Sequence, residues 1–168
     1  MVNATPDRRS EERVLAALAD VMDPEMPGVS IVALGMVEAV RVAEGRVAVT
    51  LLPTFVGCPA LHIMQRDAQR RIAAALDLPL TDVRVDFSLA TPWTTARIAP
   101  TCFGALRERG IAPPPPDPDS AISRTERVLC PWCGSDDTRT EGLFGPTACR
   151  SLHYCRRCRN VFEAIKPV

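Results

Sequence analysis

Four cysteines near the C-terminus stand in two pairs, Cys130-Pro131-Trp132-Cys133 and Cys155-Arg156-Arg157-Cys158, with twenty-one residues between the pairs. Two residues between cysteines close a tight knuckle that points both sulfurs inward, and two knuckles complete a tetrahedron of thiolates at metal–sulfur distances of about 2.3 Å. One such pair is weak evidence, whereas two predict a structural metal site. Two disulfides would suit a small secreted domain, and a redox pair would need a thioredoxin-like βαβ context. A tetrahedral four-sulfur site accepts zinc, mononuclear iron or a cluster; closed knuckles of this type favour zinc, with iron as the alternative. His153 adjoins the second knuckle and could replace a cysteine in a Cys₃His site, although four well-spaced thiolates are already available.

The other cysteines of the seven, Cys58, Cys102 and Cys149, need separate explanations. Cys58 precedes Pro59, a residue suited to the first position of a helix, which places the thiol at or near the N-cap, where free N–H groups and the helix dipole favour a thiolate. Position alone leaves two readings open, a metal or cluster ligand and a small thiol that packs the loop. His62, one helical turn on, is either a second ligand at that site or a surface histidine. Asp23 and Glu25 bracket Pro24 at the end of a helix and could bind iron or orient a partner. Acids in such places are usually just solvated, although a carboxylate at a helix C-terminus is mildly unfavourable. Spacing does not decide the role of Cys149, and Cys102 reads as structural or incidental.

These residues need elements to position them. Glu11 and Glu12 follow a Ser10 cap, and Val14, Leu15, Leu18, Val21 and Met22 share one face, which predicts a first helix ending at Asp23-Pro24-Glu25. Val37–Val42 and Val47–Leu51 alternate around Glu44-Gly45, a hairpin signal. Leu61, Met64, Ala68 and Ile72 recur at helical spacing as far as about Leu76, and Leu80–Leu89 alternates as a third strand. A last helix is expected over Phe103–Arg109 with Thr101 as its cap. The fold class is therefore α+β: a small αββαβα domain with a three-stranded sheet covered by helices on one face, then a rubredoxin-like zinc ribbon. Short strands are expected at Arg127–Leu129, Thr138–Glu141, Leu152–Tyr154 and Val161–Ile165. The five prolines between Gly110 and Asp119 mark a spacer, giving domains over 1–112 and 126–168 with a proline-rich linker over 113–125.

A formal net charge of zero over 168 residues argues against a dedicated nucleic-acid binder. The basic cluster Arg156, Arg157 and Arg159 is diluted by Asp136, Asp137, Glu141 and Glu163. No apolar run approaches the roughly 18 residues that cross a bilayer, and Thr5–Glu12 is polar, so no membrane association is expected. Seven cysteines fit a reducing, cytoplasmic setting better as ligands and thiols than as crosslinks. No Ser-His-Asp pattern, phosphate-cradling loop or carboxylate dyad appears at usable spacing, so the chain reads as a non-enzyme.

Taken together, Asp23-Pro24-Glu25, Leu34-Gly35 before a hairpin, Pro53-Thr54-Phe55 with Gly57-Cys58-Pro59-Ala60, Pro92-Trp93-Thr94-Thr95 and Gly110-Ile111-Ala112-Pro113-Pro114 resemble the small iron-sulfur assembly domain of SufT-like proteins. Followed by a Cys-Pro-x-Cys-Gly-Ser knuckle, Phe144-Gly145-Pro146-Thr147-Ala148-Cys149 and the second knuckle, the whole resembles the PaaD family, auxiliary proteins of the phenylacetyl-CoA epoxidase system. The resemblance implies a non-catalytic role in aerobic phenylacetate degradation: helping an iron-sulfur or di-iron centre to form in the oxygenase or reductase subunits. It also implies that Cys58 is the functional thiolate, holding iron or a cluster transiently, alone or bridged in a homodimer, with Thr54, Asp23 and Glu25 lining the same pocket. Docking onto that complex without metal transfer is the alternative, and a nucleic-acid-binding ribbon the weakest.

Overall fold

The computed structural model describes residues 8–114 and 128–166. Most of the expected linker, 113–125, lies outside the described residues. The chain divides into two compact units, Met1–Pro92 and Trp93–Val168.

In the first unit, α1 (Arg8–Ala19) buries Val14, Ala17 and Leu18. The helix begins two residues before Ser10, which lies in its first turn and does not cap it. Next come two short strands, β1 (Met22–Asp23) and β2 (Met26–Ser30), paired antiparallel. The sequence does not announce them, because Pro27 and Gly28 inside β2 read as a turn; a two-stranded ribbon has only edges, where proline is tolerated. The hairpin β3 (Val37–Ala43) and β4 (Arg46–Leu51) is as expected. Its turn residues Glu44 and Gly45 have φ of 51° and 73°, the double positive-φ signature of a type I′ turn.

β5 (Val83–Phe87) then pairs with β4 in parallel, giving the strand order β3-β4-β5. Parallel neighbours cannot be joined by a hairpin, so the chain must cross over the sheet, and α2 (Leu61–Leu76) is that crossover. Its buried face, Met64, Ala68, Ile72 and Ala73, is the one the helical periodicity picks out. α2 packs on β5 and on α1, which also reaches β3. Val47, Val49 and Leu51 of β4 and Val83 and Val85 of β5 are buried, while Ala48 and Arg84 on the other face are exposed. The helices cover one face of the sheet. Side-chain amides one turn apart on α2 tie it to β5: Gln65 donates to the Val85 carbonyl at 2.5 Å and Gln69 to the Val83 carbonyl at 2.9 Å.

The second unit opens with two single 3₁₀ turns, Thr95–Arg97 and Pro100–Cys102, leading into α3 (Phe103–Glu108). Thr101 sits in the second of these turns and does not cap α3. Its sheet runs β6-β9-β8-β7, with β6 (Ile111–Ala112), β7 (Thr138–Gly142), β8 (Arg150–Cys155) and β9 (Val161–Ile165). β6 runs parallel to β9, and the remaining neighbours are antiparallel. The division between units thus falls some twenty residues before the expected boundary at 112, since residues 93–112 group with the ribbon. Proline composition marks where a spacer begins but not which sheet the residues before it join. Ile111 and Ala112 are both buried once paired with β9. Val128 and Leu129, expected in a strand, are irregular, and the Val128 carbonyl accepts from Thr138 Oγ1 at 2.7 Å.

Ile72 is fully buried on the crossover helix. Replacing it with alanine is expected to lower the stability of the first unit by about 2–5 kcal/mol, read by urea denaturation followed by circular dichroism.

Candidate metal centre

Each knuckle is built from the same backbone pattern. The N–H of Gly134 donates to the Cys130 carbonyl at 2.9 Å, and that of Arg159 to the Cys155 carbonyl at 2.9 Å. Cys130 N–H donates to the Ser135 carbonyl and Cys155 N–H to that of Asn160, again both at 2.9 Å. The residue after the second cysteine takes a left-handed conformation in each, Gly134 at φ 70° and Arg159 at φ 62°. Glycine accommodates this freely, whereas Arg159 does so at a local cost of about 1–2 kcal/mol. A non-glycine residue held there shows that the knuckle geometry outweighs local preference.

These turns bring all four sulfurs within 4.8 Å of one another. Cys130 Sγ and Cys158 Sγ are 3.6 Å apart, as are Cys133 Sγ and Cys155 Sγ. A tetrahedral ion with metal–sulfur distances of about 2.3 Å sets its ligands roughly 3.8 Å apart, so these two separations match that spacing and the donor set suits such an ion. Backbone N–H groups also point at the sulfurs: those of Trp132 and Cys133 at Cys130, of Ser135 at Cys133 and of Asn160 at Cys158. Such donors stabilise thiolates and orient ligands.

As thiols, Cys130, Cys133 and Cys158 differ in acidity. Burial pushes the Cys130 thiol up to about 12. At Cys133 the Ser135 N–H favours the thiolate, but burial and bonds to Cys155 and Cys158 outweigh it and raise the pKa. At Cys158 burial also acts upward, yet the Asn160 N–H and side-chain amide, with the Cys155 and Cys130 thiols, bring the value down to about 6. Four adjacent anions would repel one another, and a bound dication removes that conflict by deprotonating all four.

The ribbon core around this cluster is small, consisting of Ala112, Cys130, Cys155, Phe162 and Ala164, flanked by Val128, Cys133 and Cys158. Trp132 lies over Gly110: a Cβ built there would sit 2.4 Å from the indole ring, and the φ of 70° also favours glycine. Nothing in the sequence flags this contact, since Gly110 reads as the start of the spacer. His153 is buried and not a ligand. It stacks on Phe162 at 5.4 Å, its Nε2 lies 2.8 Å from Ser151 Oγ, and burial lowers its pKa. Cys149 is also outside the cluster, with its Sγ 3.3 Å from Thr147 Oγ1. Arg150, buried beside it, binds Thr147 Oγ1 through Nε and forms an ion pair with Glu163 at 2.7 Å. That carboxylate oxygen has no aligned hydrogen bond, so charge alone holds the pair.

The remaining candidates lie in the first unit. Cys58 is half-buried in a turn closed by its N–H donating to the Phe55 carbonyl at 3.1 Å. The N-cap of α2 is Ala60, so Cys58 stands two residues ahead of the cap, and Pro59 lies in the turn before the first helical residue. Thr54 is half-buried at the start of the same loop. Asp23 is 4% exposed, and its Oδ1 accepts the Glu25 N–H at 2.7 Å, so this carboxylate holds the β1–β2 turn. Glu25 is half-buried and His62 exposed. Among the described residues, the four ribbon cysteines are the one group of three or more His, Cys, Asp or Glu side chains that converges at ligand spacing.

Residues 114–166 match the family described as PaaD zinc beta ribbon domain, and residues 11–87 match the iron-sulfur cluster assembly protein family. The chain is 37% identical over 155 residues to an Escherichia coli protein named as a putative component of 1,2-phenylacetyl-CoA epoxidase, covering 91% of this chain and 90% of that one. The chain belongs to the PaaD family. Its first part is also similar to the Bacillus subtilis Fe-S protein maturation auxiliary factor YitW, 35% identical over 91 residues, which cover 53% of this chain and 85% of that protein. Among solved structures, a domain of unknown function, DUF59, from Bacillus anthracis superposes with a TM-score of 0.53 at 28% identity, over 58% of this chain and 92% of that one. The expected α+β class, a DUF59-like sheet domain followed by a ribbon with a four-cysteine cluster, stands. No helix among the described residues is long and apolar enough to cross a membrane.

Changing any one of Cys130, Cys133, Cys155 or Cys158 to serine is expected to cut the metal bound per chain at least tenfold, measured by plasma mass spectrometry after dialysis. Cys149→Ser and Cys102→Ser are expected to leave it unchanged.

Proposed function

We propose that this PaaD-family protein is a non-catalytic accessory factor of aerobic phenylacetate degradation that helps an iron-sulfur or di-iron centre to form in the phenylacetyl-CoA epoxidase system. The observation that carries this reading is the placement of Cys58, a half-buried thiol on a turn just ahead of α2, within a segment that matches the iron-sulfur cluster assembly family. The names of the two relatives, an epoxidase component and an iron-sulfur maturation factor, support the same role.

On this reading the two units divide the work. The ribbon cysteines bind zinc, whose chemistry is structural: it neutralises four thiolates and locks the knuckles. Cys58 binds iron or a cluster as cargo. One thiolate leaves most coordination positions open, which suits handover better than storage. Thr54, Asp23 and Glu25 line the approach, and Cys58 of a second copy supplies a further sulfur in a homodimer. The clients are the oxygenase or reductase subunits, and seven cysteines without a disulfide suit the cytoplasm, without nucleic acid or membrane as partner.

A docking role without metal transfer is the competing reading. It is favoured by Asp23, whose carboxylate is engaged in its own turn, and by the lack of a second converging ligand group among the described residues.

Two measurements separate these readings. Anaerobic reconstitution followed by iron and acid-labile sulfide analysis is expected to load wild type and leave Cys58→Ser at least fivefold lower in iron, with zinc equal in both. Ring-epoxidation activity in cells should fall with the same substitution. A Cys58→Ser protein that holds iron as well as wild type and supports full activity would establish the docking role instead.

A further inference from the structure

The first unit carries a groove between the β1 segment and α2, lined by Met22, Pro24, Ile63, Met64, Arg66 and Arg70 together with Asp67. Met64 is 1% exposed and forms its floor, whereas Met22 and Ile63 remain 42% and 50% exposed on its walls. Ile63, Arg66 and Arg70 follow one another at spacings of three and four residues, so they share one side of the helix. Asp67 is held by Arg71 at 2.9 Å. Arg66 and Arg70 are exposed, and neither takes part in an ion pair among the described residues.

Two like charges one turn apart weaken a helix by about 0.2–0.5 kcal/mol, so helix stability does not account for the pair. Nor does folding account for the apolar walls, which stay half in water. Guanidinium groups are suited to forked recognition of carboxylates, and the apolar walls can receive one or two aliphatic side chains.

We infer that this groove docks an acidic, amphipathic segment of a partner protein, with the partner's carboxylates on Arg66 and Arg70 and its apolar side chains between Met22 and Ile63. Charge decides the occupant. A nucleic acid would find no stacking aromatic in the lining, and the apolar walls would gain nothing from phosphate, whereas an amphipathic peptide uses both the guanidinium groups and the walls. Docking at this groove is separate from the metal-handling role and stands whether or not Cys58 carries iron.

The test uses the full chain and a fluorescein-labelled helical peptide with leucines on one face and glutamates four residues apart, alongside its counterpart with lysine in place of glutamate. Fluorescence anisotropy is expected to show the acidic peptide binding wild type at least tenfold more tightly than the basic one. Arg66→Glu with Arg70→Glu should reverse that preference, and Met22→Ser with Ile63→Ser should weaken both peptides at least fivefold. Reversal also serves as the folding check, because an unfolded variant would not gain affinity for the basic peptide. Cys58→Ser should bind like wild type, so a failed iron assay and a failed docking assay are told apart. Equal affinity for the two peptides, no binding of the acidic one below about 1 mM, or tighter binding of a single-stranded RNA oligonucleotide would each overturn the proposal.

Discussion

The convergence of four sulfurs is the constraint on which the second unit depends. The buried cluster around those sulfurs in the ribbon has five side chains, two of which, Cys130 and Cys155, are themselves ligands, and two more are alanines. Phe162 is the single large apolar side chain in that set. Burying one phenylalanine contributes about 1.5–3 kcal/mol, far below what ordering some forty residues costs. Binding a structural ion to such a site supplies on the order of 10 kcal/mol, so the metal does here what a hydrophobic core does elsewhere. The ribbon's other features serve the knuckles: Thr138 ties down the irregular segment leading to the first, and Trp132 of that knuckle lies over Gly110. Phe162 and His153 stack against each other on the sheet that presents the second.

The first unit follows a different constraint, the parallel pairing of β4 with β5. Because α2 has to lie across the sheet to make that pairing, the turn before it is carried to one end of the unit, and Cys58 with it. The two glutamines of α2 bonded to β5 carbonyls then fix the helix in register. The position of the thiol is thus a consequence of topology as well as of its own loop.

What can be read from the sequence is what is encoded locally. The face of α2, the β3–β4 hairpin with its Glu44-Gly45 turn and the strand β9 all have a period or a turn signal within a dozen residues. The tetracysteine site is legible for the same reason, since each knuckle needs only four residues to declare itself. What escapes depends on distant pairing. Ile111 and Ala112 look like the end of one domain until β9, fifty residues on, supplies their partner. Gly110 looks like the start of a linker until Trp132 is laid over it. Asp23 reads as a candidate ligand because its type and neighbours allow it, and only the structure shows its carboxylate accepting the Glu25 amide two residues away.

The contrast between the two kinds of cysteine follows from coordination chemistry. The ribbon sulfurs fill a tetrahedron and receive backbone N–H groups, so an ion there has no open position and nothing to exchange with. Cys58 sits on a half-exposed turn beside Phe55 and Val56, which are 41% and 67% exposed. A single sulfur cannot retain a metal against competing ligands, and an apolar tip next to it stays partly in water until another surface covers it. If Cys58 takes the proposed cargo, a site with one sulfur flanked by exposed apolar surface gains occupancy only when a partner completes it. On the proposed function, retention in the ribbon and exchange at Cys58 are opposite demands on thiolate chemistry, and placing the two sets of thiols in separate units lets one chain answer both.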